Sequence, residues 1–113
     1  MTCVLRISTP DGTGIASSTA LKPYRVSGNT AHFHVSNADF DAFGQQIDDA
    51  IRFLQTHEAG VKQMLSASQA TGVLDFAIEW RDVAIQVDSF PAELVRVAGS
   101  LGLALELSHY PVA

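Results

Sequence analysis

Cysteine, positive charge and long apolar runs are all scarce in this sequence, and each scarcity removes a class of protein. Cys3 is the single cysteine of 113 residues, so no internal disulfide and no cysteine-based zinc site can form. No run nears the ~18 apolar residues needed to cross a bilayer, and Met1 to Arg6 lacks the basic start and apolar stretch of a signal peptide. A cytoplasmic protein without a membrane partner is therefore expected. Seven Lys and Arg stand against twelve Asp and Glu, a net charge of −5, and the cations are scattered singly. Gripping a phosphate backbone takes a clustered basic surface, so nucleic acid is not an expected partner. No P-loop, no G-x-G-x-x-G and no G-x-S-x-G occurs, so no cofactor is expected.

What is present is a globular composition, 47% hydrophobic and 17% charged, in a length that suits one domain over 1–113. Cys3 to Ser8 alternates as a half-buried strand with Cys3, Leu5 and Ile7 inward. Pro10-Asp11-Gly12-Thr13-Gly14 opens a loop that runs to Ala20. Its Asp11-Gly12-Thr13-Gly14 has the wrong order for an aspartic-protease motif and no second copy. Gly28-Asn29 suits a two-residue type II′ turn, which predicts a hairpin over 21–36. That register pairs Ser27 with Thr30, Val26 with Ala31, Arg25 with His32, Tyr24 with Phe33 and Lys22 with Val35. Tyr24, Val26, Ala31, Phe33 and Val35 then share an apolar face, and Arg25, His32 and His34 the other.

Phe40, Phe43, Ile47, Ala50, Ile51 and Leu54 recur at helical steps, with Ser36, Asn37 or Asp39 as the expected cap. A break at Thr56-His57 predicts a shorter second helix carrying Val61, Met64 and Leu65, and Ser66 to Gly72 reads as a loop. Val73 to Asp88 reads as another hairpin about Arg81-Asp82, pairing Trp80 with Val83, Ile78 with Ile85 and Phe76 with Val87. Pro91 near a first helical position opens a third helix with Leu94, Val97, Ala98 and Leu101 buried, ended by Gly99 and Gly102. A last strand runs from Leu103 to Ser108 with its leucines inward.

Every strand has one apolar face. The expected fold class is thus α+β: one antiparallel-rich sheet with helices on one face, in the order β-ββ-α(α)-ββ-α-β. From 30–36 onward this spells βαββαβ, a ferredoxin-like order, although the Gly28-Asn29 hairpin already occupies one flank of the strand that such a fold makes central.

Gln46-Ile47-x-x-Ala50-Ile51-x-Phe53-Leu54, Leu74-Asp75-Phe76-x-Ile78, Phe90-Pro91-x-Glu93-Leu94, Ala98-Gly99-x-Leu101-Gly102 and Leu105-Glu106-Leu107-Ser108-x-Tyr110-Pro111 resemble a bacterial family of uncharacterised proteins, domain-of-unknown-function family 4279. The resemblance spans roughly Cys3 to Pro111. Most matching positions are core or capping residues, so it implies a single-domain fold and no activity.

The most specific polar feature is the sheet face turned away from the helices. His32 and His34 share that side with Arg25, Asp75, Glu79 and Glu106, and with Ser108 and Tyr110. Were those strands neighbours, imidazoles near carboxylates could take a metal or a small polar ligand, but the spacing matches no metal motif, and a solvated sheet face explains the same pattern. Asp41, Asp48 and Asp49 offer a docking surface for a basic partner, against the plainer reading of a solvated helix face with acids at its positive end. Cys3 is expected to be an inert buried thiol, Trp80 a core residue, and His57 and His109 surface residues.

Without a nucleophile–base pair, the residues favour a non-enzymatic protein-binding module. An immunity-protein-like role fits by analogy, and a homodimer through a strand edge is a second form of the same idea. The alternative is a small-molecule or metal-binding domain on the polar sheet face.

Overall fold

The computed structural model describes residues 1–11 and 21–111; the expected loop from Gly12 to Ala20 lies outside them. Five strands and three helices follow one another: β1 Cys3–Ser8, β2 Arg25–Ser27, β3 Thr30–Ser36, α1 Phe43–Thr56, α2 Glu58–Leu65, β4 Thr71–Trp80, α3 Ala92–Ser100 and β5 Leu103–Pro111. The protein is α+β, with one mixed sheet in the order β2-β3-β1-β4-β5. β1 pairs antiparallel with β3 and with β4, β2 antiparallel with β3, and β4 parallel with β5.

Side-chain alternation along the strands decides which face is covered. Leu5, Ile7, Phe33, Leu74 and Phe76 are buried with Ile47, Ala50 and Leu54 of α1, Val61 and Met64 of α2, and Leu94 and Ala98 of α3. Phe43, Phe76 and Phe90 meet edge-on or tilted, with ring centroids 5.2–5.8 Å apart. This arrangement suits the ring quadrupoles and pins the start of α1 to the approach to α3. Gly102, at φ +77°, ends the α3 region in the left-handed conformation.

The first hairpin has the expected register from Arg25–His32 to Ser27–Thr30, and the positive φ of its turn falls on Gly28. Beyond Arg25 the register ends without a Tyr24–Phe33 pair: Tyr24 N–H makes one last bond to His32 O at 2.9 Å, and Pro23 has no N–H to continue the ladder. Lys22 therefore does not pair with Val35. Tyr24 and Val26 are exposed rather than part of the core, since β2 is the outermost strand, and the Tyr24 ring lies 6.1 Å from that of His32.

Three further expectations are corrected. α1 is capped by Ala42 with no side-chain cap and no acid in its first turn. Phe40 consequently precedes the helix and is exposed. Ser36 is used differently: the register shifts between Cys3 and Val4, so that Val4 faces His34 but Cys3 faces Ser36. The extra residue turns Ser36 inward, where its hydroxyl donates to Asp49 Oδ2 at 2.6 Å.

The second hairpin does not form. Residues 81–91 are irregular, β4 has β1 on one edge and β5 on the other, and no edge remains for Val83–Asp88. The run from 30–36 onward is thus βααβαβ, one strand short of the βαββαβ order. Trp80, the last residue of β4, is half exposed instead of core.

Gln46 of α1 is fully buried. Its Nε2 donates to Ala77 O at 2.8 Å, where β4 outruns β1, and to Asp39 O at 3.2 Å, a carbonyl that also accepts from Ala42 N–H. Gln46→Glu keeps the shape but offers only acceptors to those carbonyls. We expect a loss of about 2 kcal/mol or more at pH 7, shrinking as acid protonates the new carboxyl. Urea unfolding at pH 7 and pH 4.5 measures it, and an unchanged midpoint at pH 7 would refute this role.

Candidate functional site

The face opposite the helices carries the polar residues singled out in the sequence, and the strand order decides which of them meet. One row across the sheet is Arg25, His32, Arg6 and Val73; the next is His34, Val4, Asp75 and Glu106. Arg6, near the middle of the central strand, reaches from the first row to the second. Its Nη1 lies 2.9 Å from Asp75 Oδ2 and its Nη2 2.9 Å from Glu106 Oε1. Ser108 Oγ donates to the other oxygen of Asp75 at 2.8 Å. Burial works against the guanidinium charge, but the hydrogen bonds to Asp75 and Glu106 outweigh it and raise the Arg6 pKa.

This arrangement separates the histidines from the carboxylates. β1 lies between β3 and β4, so the histidines stand about two strand spacings, roughly 9–10 Å, from Asp75 and about three, roughly 14 Å, from Glu106 on β5, with Arg6 on the strand in between. His32 neighbours Arg6 and Arg25 instead. Burial, then the charges of Arg25 and Arg6, lower its pKa from the ordinary 6.5. His34 sits one row on, opposite Val4, and is exposed; Glu79 lies further along β4 opposite Tyr110. Among the described residues no group of three or more His, Cys, Asp or Glu is arranged to hold a metal ion. Both oxygens of Asp75 are occupied, which leaves it poorly placed to act as ligand or base.

The acidic helix residues also divide. Asp49 accepts from Ser36 Oγ and, at 2.8 Å, from Gln45 Nε2, and these hydrogen bonds hold its carboxyl below the usual range. It ties α1 to the end of β3. Asp41 and Asp48 are exposed. Cys3 is fully buried, and burial, with the charges of Asp75 and Asp49, pushes its thiol far up, as expected of an inert thiol.

Two features were not legible as sites. Arg6 read merely as an outward strand residue, although a lone cation on a short strand amid acidic strands is the available signal. The other is the segment after β4. Ile85 is 80% exposed, Val87 75%, Trp80 50% and Val83 48%. Gln86, between Ile85 and Val87, and Asp88 after them turn inward: Gln86 Oε1 accepts from Arg81 N–H at 2.9 Å, and Gln86 Nε2 donates to Glu79 O at 3.0 Å and to Asp88 Oδ2 at 2.8 Å. Polar groups thus anchor the loop while its branched apolar side chains face solvent. Beside it, Trp80, Gln86 and His109 line a mainly apolar cavity of about 280 Å³.

Comparison with known protein families, with curated proteins and with solved structures finds no match to this chain.

Two outcomes follow for the open face. Arg6→Ala leaves a half-buried Asp75 without its cation and should cost about 1–3 kcal/mol. Glu106→Ala removes the more exposed arm and should cost less than about 1 kcal/mol; equal losses on denaturant unfolding would contradict the hub role of Arg6. For His32, the folded state resists the proton that the unfolded chain accepts near its ordinary value. Its contribution is therefore complete above pH 6.5 and is lost as pH falls toward the lower folded value. His32→Gln should flatten the fall in Tm between pH 7 and pH 5, and an unaltered slope would count against that placement.

Proposed function

We propose that this chain is a non-enzymatic protein-binding module whose contact surface is the apolar loop after β4. The observation that carries this reading is the inverted loop itself: Val83, Ile85 and Val87 in solvent while Gln86 and Asp88 are drawn inward. Monomeric proteins rarely leave branched apolar side chains grouped on the surface, and where they do the patch commonly serves a partner. Trp80 and the adjoining cavity provide the aromatic anchor and the recess that protein interfaces favour. Asp82 and Glu93 supply exposed acids in the same stretch of chain, whereas Asp88 is taken up by Gln86 and Arg81, so a partner with an apolar centre and a basic rim fits best. An immunity-like role, in which the partner is a basic toxin domain, is one form of this proposal.

Membership of the uncharacterised bacterial family belongs to the same proposal. The positions that carry the resemblance, such as Ile47, Ala50, Leu74 and Phe76, are buried core residues and add no activity. Ligand or metal binding on the open face is the weaker reading, because Arg6 already engages Asp75 and Glu106.

Ile85→Ser/Val87→Ser separates a binding patch from a structural one. Exposed side chains that serve no packing role change stability by less than about 0.5 kcal/mol when replaced. The double variant should therefore keep its Tm, lose fluorescence of a dye that binds apolar surface, and fail to retain a protein held by wild type from the native lysate. Asp41→Asn/Asp48→Asn should retain that protein. Retention by the loop variant would sink the proposal, and a large fall in Tm would reassign the loop to the core.

A further inference from the structure

The two edges of the sheet are guarded unequally. β2 closes one edge with three residues, led by Arg25, and so short an edge is a poor template for another strand. β5 closes the other with nine residues, Leu103–Pro111. Among the described residues its outer backbone has no partner: the strand pairs only with β4, and no loop bonds to it. It carries one charge, Glu106, no lysine, and a proline only at its last position. A long, nearly uncharged edge whose register on β4 runs without a bulge invites another strand.

The sequence of β5 says which strand fits. In a two-fold antiparallel pair, opposed residues share a face, and hydrogen-bonded pairs alternate with non-bonded ones. The symmetry axis must therefore pass through a residue rather than between two. An axis at Glu106 sets two carboxylates against each other. An axis at Leu107, the midpoint of Leu103–Pro111, uses the whole strand and opposes no like charges. Glu106 then faces the partner's Ser108, Ala104 the partner's Tyr110, Leu105 the partner's His109, and Leu107 the partner's Leu107. Leu105 and Leu107 are only half buried within one chain, and this register covers them.

We infer that β5 is a self-association edge: two copies pair antiparallel through Leu103–Pro111 about Leu107, joining their sheets into one. This inference goes beyond the binding-module proposal and stands on a different observation, the strand edge instead of the apolar loop. Closed two-fold pairing is also the commonest way that soluble chains assemble, and it removes the exposed edge.

Sedimentation equilibrium of the full chain across the micromolar range, followed by two double variants at exposed positions, tests it. Wild type should show twice the 12.1 kDa of one chain. Ala104→Glu/Tyr110→Glu places glutamate opposite glutamate twice and should give the monomer mass. Ala104→Lys/Tyr110→Glu places lysine opposite glutamate twice and should restore the dimer. Matching circular dichroism spectra exclude misfolding as the cause. A monomeric wild type overturns the inference, as does a dimer in which both double variants behave alike. Loss of dimer with the loop intact leaves the Ile85/Val87 test standing, so the two proposals fail separately.

Discussion

Because β1 bonds through both of its edges, β3 must lie on one side of it and β4 on the other, both antiparallel to it and hence parallel to each other. Parallel strands cannot be joined by a tight turn; their connection has to cross the sheet. Here the crossing is α1 and α2, which pass over β1 and bury Leu5 and Ile7 beneath them. The next connection, β4 to β5 through α3, is again a parallel crossover on the same side. One face is therefore roofed by helices and the other is left open, with Arg6 of the central strand in its middle.

That position gives Arg6 its role. Any strand next to β1 places its outward side chains within reach of the guanidinium, and β4 supplies Asp75 directly while β5 supplies Glu106 one strand further out. The open face is thus an internally compensated polar surface rather than an array of free ligands. By contrast, the segment between β4 and α3 has Gln86 and Asp88 compensated, by the backbone and by one another, and its apolar groups uncompensated. The electrostatic and hydrophobic demands of the molecule are met in different places, and the unmet demand is hydrophobic.

The local pattern showed strand faces and helix stripes well. Cys3, Leu5 and Ile7, the turn at Gly28-Asn29, the α1–α2 break at His57 and the stripe of Leu94, Ala98 and Leu101 are all local properties, set by periodicity and by turn chemistry. The second hairpin misled for the same reason. Val83, Ile85 and Val87 alternate as a strand should, but alternation cannot say whether an edge is free, and β5 holds the edge they needed. The candidate site was legible as a set of residues sharing a face, not as a set of contacts. The sequence placed His32, His34, Asp75 and Glu106 on one side, whereas their separation by Arg6 depends on strand order. The inward turn of Ser36 toward Asp49 depends on a one-residue bulge with no sequence signature.

By itself the sequence determined the class of the protein: an α+β chain with one-sided strands, amphipathic helices and one buried cysteine, because these follow from side-chain period and local conformational preference. The tertiary structure alone decided which strand is central, which carboxylates meet a cation, and which apolar residues stay in solvent. Those outcomes depend on competition for sheet edges between segments far apart in the chain. β5 won the edge of β4, and Val83–Val87 was left outside the sheet.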